Sequence, residues 1–71
     1  MRWQNYMTVR LLTDAYAAEG ASHGAIGVIV EVYADAYEVE FSRADGTTYA
    51  QIVAREEDLA EHELDSSGAA D

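Results

Sequence analysis

The sequence contains no cysteine and no lysine, and its four arginines stand against fourteen acidic residues, for a formal net charge of −10. Without cysteine the chain has no disulfide framework, no thiol nucleophile and no thiolate zinc site. Four cations are too few to neutralise a row of phosphates, and the negative charge opposes approach to anionic surfaces. We therefore expect no binding to nucleic acid or to a membrane.

Long apolar runs are also missing. No segment approaches the ~18 residues that cross a bilayer, and residues 1–5 lack the apolar segment of a secretory signal, so we expect a cytoplasmic protein. At 71 residues the chain forms one small domain, too small for a deep catalytic cleft with a core beneath it. Apolar residues make up 49% of the sequence, which favours a folded chain over a disordered one.

Alternating apolar residues predict four β-strands. The predicted strands are 6–13, 26–33, 37–42 and 47–54, the third having Tyr37, Val39 and Phe41 on one face. Residues 14–25 are predicted to form a long loop, and Asp45-Gly46 predicts a two-residue type I′ hairpin turn. Gly27, inside the second strand, indicates a bulge or the close approach of another backbone.

These elements predict an all-β fold, a small SH3-like barrel of four to five antiparallel strands with a short helical turn near residues 55–60. The barrel is expected to span residues 1–60. Residues 61–71, which are polar and acidic, are expected to form a flexible tail.

The order of these motifs resembles that of a bacterial family of short stand-alone proteins known only as a domain of unknown function. The resemblance spans about residues 6–60 and depends on Gly24-x-x-Gly27 with its Val/Ile-rich strand, the Tyr37-x-Val-x-Phe41 strand, Asp45-Gly46, and an acidic turn ending at Leu59. The pattern is similar also to the small SH3-like accessory protein of photosystem I and to the SH3-like barrel of the nitrile hydratase β chain. The resemblance implies no catalytic activity. It implies that the protein acts by docking on another protein.

No pattern of catalytic, cofactor-binding or metal-binding residues is recognisable. Gly24-x-x-Gly27 is not followed by the cationic or hydroxyl side chains that a phosphate loop needs. The acidic residues near Glu57 lack the spacing of a calcium loop, and they favour a solvated turn. His23 and His62 have no Ser or Cys nucleophile in a recognisable motif. We therefore expect a protein that is not an enzyme and needs no cofactor.

Two groups of side chains are candidates for binding a partner. The first group consists of aromatic residues that the strand alternation does not place in the core, namely Trp3, Tyr6, Tyr16 and Tyr33. Aromatic side chains favour a binding interface, because they add a large contact area with few rotatable bonds. Glu38 and Glu40 point outward about 6.5 Å apart on one strand, with Glu31 expected on the strand beside them. Three carboxylates in this arrangement either imitate a row of phosphates or only keep the outer face soluble.

The second strand also carries apolar residues on both faces, so part of its surface is expected outside the core, where a homodimer or a docked partner would bury it. Our leading hypothesis is a non-enzymatic interaction module that binds and modulates another protein, in its sharpest form an antitoxin or immunity-like neutraliser of a basic protein. The alternative is a structural or accessory subunit of a larger enzyme complex. Salt separates the two, because only a charge-driven complex weakens as salt is added.

Overall fold

A computed structural model describes residues 2–62, and within them it contains five strands and two 3₁₀ turns. In chain order these are β1 (Thr8–Leu11), η1 (Ala17–Glu19), β2 (Ile26–Val32), β3 (Tyr37–Ser42), β4 (Thr48–Ala54), η2 (Glu56–Asp58) and β5 (Leu59–Glu61). Every strand pair is antiparallel, in the order β4-β3-β2-β1-β5. The prediction of a small all-β, SH3-like barrel with a helical turn near residues 55–60 is confirmed.

The first and last strands of the described residues lie side by side. Leu11 of β1 pairs with Leu59 of β5, and Val9 pairs with Glu61. The backbone N–H of His62 then donates to the carbonyl of Thr8 at 2.9 Å. Glu61, which the sequence analysis assigned to the acidic tail, thus belongs to the sheet; residues 63–71 of that tail lie outside the described residues.

The core is built from alternate residues of the strands. Tyr37, Val39 and Phe41 of β3 are completely buried, as the alternation predicts, while the residues between them face outward. Ile29 of β2 is also fully buried and pairs with Val39. Burying such side chains is the main favourable contribution to folding, and in a domain of this size few of them are available.

Trp3, predicted for a binding surface, is instead part of the core, with 8% of its surface exposed. The buried Tyr37 hydroxyl accepts hydrogen bonds from the backbone N–H groups of Arg2 and Trp3, at 3.0 and 3.1 Å. The Trp3 indole N–H lies 3.5 Å from the carbonyl oxygen of Glu56. The N-terminal segment is therefore held against the barrel by a tyrosine hydroxyl and a 3₁₀ turn that are distant in sequence.

Gly27 leaves room for two core side chains. A Cβ at this position would lie 2.8 Å from atoms of both Phe41 and Val39, which is closer than carbon atoms approach in folded proteins. The close approach predicted for Gly27 is thus real, but it involves side chains and not a second backbone. The β2–β3 irregularity lies further along, between Ile29 and Glu31.

The hairpin between β3 and β4 differs from the predicted type I′ turn. Gly46 has a φ of +93°, but Asp45 is not among the residues with positive φ, and type I′ requires positive φ at both central positions. The Gly46 N–H donates to the Arg43 carbonyl, and the Arg43 N–H donates to the Thr47 carbonyl. The loop thus has three residues, 44–46, the length at which a type I turn ends in a left-handed glycine.

The loop of residues 14–25 includes the turn η1 and lies beside β4. The Tyr16 hydroxyl donates to Asp58 Oδ2 at 2.7 Å and accepts the N–H of Arg55, the residue that follows β4, at 3.3 Å. At the other end, a Cβ on Gly20 would lie 3.4 Å from the Ala50 Cβ. The loop is therefore anchored at both ends of a strand with which it forms no sheet pairing.

Candidate partner-binding face

Three carboxylates meet on the outer side of β2 and β3, and we call Glu31, Glu38 and Glu40 the acidic face. Glu38 and Glu40 lie there because they alternate with the buried residues of β3. Glu31 lies there because of the bulge: after the Ile29–Val39 pair the register shifts by one residue, so Glu31 pairs with Glu38. Without this shift Glu31 would be opposite Tyr37, whose side chain is in the core.

Neighbouring side chains hold these carboxylates in fixed orientations. The Tyr33 hydroxyl donates to Glu38 Oε1 at 2.5 Å, and the Gln51 amide donates to the other oxygen of the same carboxylate. The Thr48 hydroxyl donates to Glu40 Oε2 at 2.6 Å. Hydrogen bonds from Tyr33 and then Gln51 lower the pKa of Glu38, so Glu38 stays ionised below the usual pH range of a glutamate.

The acidic face has no cation paired with it in residues 2–62. The one ion pair among these residues joins Arg55 to Glu57, at 2.7 Å, and both of those side chains are largely exposed. Glu31 and Glu38 are directly opposite each other on adjacent strands, an arrangement that destabilises a sheet when both groups are charged. A cationic group from outside would relieve this repulsion.

Apolar and aromatic side chains flank the acidic face. Val53 pairs with Glu38 across the β3–β4 ladder and is 54% exposed. Tyr33, which hydrogen bonds to Glu38, is about two-fifths exposed. Tyr49 is equally exposed but lies beside the inward ring of Phe41, with 6.2 Å between the ring centres, because the β3–β4 register shifts at this point. Exposed aromatic and branched apolar groups beside ordered charges are typical of a protein-binding surface.

The structure brings together four of the seven residues that the sequence analysis selected, namely Glu31, Glu38, Glu40 and Tyr33. Trp3 is in the core, and Tyr16 is half-buried at the side of β4, where burial, followed by the hydrogen bond to Asp58, raises its pKa. Thr48, Gln51 and Val53 also belong to this site but were not predicted from the sequence. Alternation in β4 places Gln51 and Val53 on the outer side, and that pattern was the available signal.

Tyr6 precedes β1 and is 78% exposed. Its φ is +72°, a conformation that costs a residue with a side chain about 1–2 kcal/mol. The Met7 N–H donates to the Gln4 carbonyl at 3.2 Å, so Tyr6 occupies the turn position where glycine is usual. The Tyr6 backbone N–H donates to the Ile29 carbonyl at 2.6 Å, and this bond to β2 helps to hold the residue in its strained conformation. Its hydroxyl makes no hydrogen bond within residues 2–62.

Other kinds of site are not apparent in residues 2–62. No group of three or more His, Asp or Glu side chains there is arranged to hold a metal ion. Among the same residues, none of the helical segments has the length and apolar character to cross a membrane.

Comparison with known proteins gives one match. No curated protein and no solved structure shows significant similarity to the chain. The model of a family described as "Domain of unknown function (DUF4926)" matches residues 6–61, which include all five strands. The match spans most of the chain, and it agrees with the resemblance seen in the sequence. The chain therefore belongs to the DUF4926 family of domains of unknown function.

Proposed function

We propose that this protein is a non-enzymatic interaction module whose acidic face binds a basic surface of another protein. The observation that supports this most directly is the unpaired charge of Glu31, Glu38 and Glu40, held in place by Tyr33, Gln51 and Thr48. Fixed side chains lose less conformational entropy on binding than free ones do. Their orientation therefore favours binding beyond the general attraction due to the net charge.

More specifically, we propose that the protein is an antitoxin or immunity-like neutraliser that covers the cationic site of a toxin or nuclease. Glu38 and Glu40 are two residues apart on one strand, about 6.5 Å, so their charges form a regular row like that of the phosphates of a nucleic acid strand. A net charge of −10 would also attract a basic partner over a distance and speed association at low salt.

The test begins with affinity capture from the encoding organism and identification of the bound proteins by mass spectrometry. A captured basic protein is then purified, and its dissociation constant is measured by calorimetry at low and high salt. Replacing the acidic face by Glu31→Gln, Glu38→Gln and Glu40→Gln together should weaken binding by at least tenfold at low salt. It should also reduce the salt dependence of the dissociation constant.

A matched control separates the local face from the total charge. Glu19→Gln, Glu57→Gln and Glu61→Gln change the net charge by the same amount at exposed positions outside the acidic face. This control should reduce affinity by much less than the acidic-face variant does. Equal losses from the two variants would show that only net charge matters, and the face would have no specific role.

The second candidate function is an accessory subunit of a larger complex, and the exposure of Val53, Tyr33 and Tyr49 favours it. Apolar burial would dominate such binding, so the complex would persist at high salt. Val53→Ser would then weaken it more than the acidic-face variant does.

A further inference from the structure

Tyr6 occupies a position at which the backbone favours glycine for two reasons. It is the third residue of the turn that the Met7 N–H closes by donating to the Gln4 carbonyl. It is also the first residue of a β-bulge, because its N–H donates to the Ile29 carbonyl while the Ile29 N–H donates to the Met7 carbonyl, so that two residues oppose one. Glycine is usual at both positions because they call for a positive φ, and the φ of Tyr6 is +72°.

Contacts inside the chain do not account for the tyrosine side chain at this position. A glycine would donate the same backbone hydrogen bond to Ile29 and would do so without strain. The ring of Tyr6 is largely exposed, so it adds little to the buried area of the core. A strained residue whose side chain the fold does not use points to a role outside the fold.

Tyr6 lies beside the acidic face, on the side of β2 away from β4. It bonds to β2 at Ile29, and Glu31 is two residues further along that strand, about 6.5 Å away, which is within the reach of an aromatic ring. On the other side of β2, Glu31 pairs with Glu38, whose carboxylate accepts the Tyr33 hydroxyl. The paired carboxylates therefore have a tyrosine on each side.

Arginine is the side chain that suits an aromatic ring next to carboxylates. Its planar guanidinium stacks on a ring while its N–H groups donate to a carboxylate, whereas the lysine ammonium is a strongly hydrated point charge. The chain itself contains such contacts, since the guanidinium of Arg2 lies 5.0 Å from the Trp3 ring centre and that of Arg43 lies 5.4 Å from the Tyr49 ring centre. Within residues 2–62, no arginine lies over the Tyr6 ring in this way.

We propose that Tyr6 is a specificity-determining residue of the acidic face, and that its ring stacks on an arginine of the partner protein whose guanidinium also pairs with Glu31. The inference rests on the proposed function and narrows the partner to a protein whose basic surface carries arginine. A second copy of this chain is a poor occupant, because two chains of −10 repel each other. Three of its four arginines also already contact an aromatic ring or a glutamate within the chain.

The test compares two synthetic peptides, one of six arginines and one of six lysines, which have the same charge and differ in the cationic group. The dissociation constant of each peptide with the full chain is measured by calorimetry at low salt. The unaltered chain should bind the arginine peptide more tightly than the lysine peptide. In Tyr6→Gly this preference, expressed as the ratio of the two dissociation constants, should fall by about threefold.

Two matched variants separate the ring from the backbone strain. Tyr6→Phe keeps both the ring and the strain, so it should keep the preference for arginine. Tyr6→Ala removes the ring and keeps the strain, so its preference should match that of Tyr6→Gly. The inference is overturned if the glycine and alanine variants retain the preference of the unaltered chain, or if the phenylalanine variant loses it.

The acidic-face variant with three glutamines distinguishes a failure of this inference from a failure of the proposed function. It should bind both peptides more weakly than the matched control of equal net charge does. If the two variants bind the peptides alike, the proposed function and this inference both fail. If the acidic-face variant binds more weakly but Tyr6→Gly leaves the preference unchanged, only this inference fails.

Discussion

The two sides of strand β3 show how one short segment serves two requirements. On the inner side, Tyr37, Val39 and Phe41 are fully buried and form part of the core. On the outer side, Glu38 and Glu40 hydrogen bond to side chains of β4. The inner residues contribute buried area, which is scarce in a small domain. The outer carboxylates contribute little to folding, so they are free to be used in binding.

The largest expected effect is on the inner side, where Phe41→Ala should destabilise the fold by about 3–5 kcal/mol. The ring is completely buried, and its removal leaves a cavity beside Val39 and Gly27. Urea unfolding followed by circular dichroism measures the change. Phe41→Leu is the control and should cost clearly less, and a loss below about 1 kcal/mol for the alanine variant would contradict the described core.

Gly27→Ala should destabilise the fold by about 1–3 kcal/mol, since the added methyl group overlaps the side chains of Phe41 and Val39. The same unfolding experiment measures it. Combining Gly27→Ala with Phe41→Leu should cost less than the sum of the two single changes, because the smaller side chain makes room. Strict additivity would mean that the methyl group does not meet the ring.

A smaller effect of opposite sign is expected at Tyr6, which belongs to neither side of β3. Tyr6→Gly should stabilise the fold by about 1 kcal/mol, because glycine adopts positive φ without strain but loses more entropy on folding. The thermal midpoint would rise by ~4–8 °C. Tyr6→Ala removes the same ring and keeps the strain, so it should not stabilise, and an equal rise with alanine would rule out backbone strain as the cause.

The smallest effect on folding is expected on the outer side, at Glu38. The pKa of Glu38 is lower in the folded protein than in the unfolded chain, so its ionised carboxylate stabilises the fold fully at any pH above the ordinary glutamate pKa. That stabilisation is lost as the pH falls through the lower pKa of the folded protein. Stability measured from pH 6 to pH 2 should therefore fall less steeply in Glu38→Gln than in the unaltered chain. Parallel curves would show that the Tyr33 and Gln51 hydrogen bonds do not favour the ionised form.

The strands were predictable because their signals are local. In β3 apolar and acidic residues alternate without interruption, and a strand has a period of two, so the inward residues follow directly from the sequence. Trp3 has no such context, since it precedes the first strand, and its burial depends on Tyr37 and Glu56. Strand β5 is three residues long and exists through its pairing with β1, which no local pattern indicates.

The acidic face was predictable in part for the same reason. The positions of Glu38 and Glu40 follow from alternation, but that of Glu31 depends on the register shift after Ile29, which sequence alternation alone does not contain. The side chains that orient these carboxylates come from β4 and from Tyr33, the residue that follows β2. Hydrogen bonds between strands depend on register, and register is fixed by the complete sheet.

The pairing of β1 with β5 has a consequence for synthesis on the ribosome. Val9 emerges early, but its partner Glu61 is added only near the end of the described sequence, after the hairpins of β2, β3 and β4. At a synthesis rate of ~5–20 residues per second, β5 is completed on the order of 3–10 s after β1. During that time one side of β1 has no neighbour, so a nascent chain halted before β5 would be a target for chaperones and proteases.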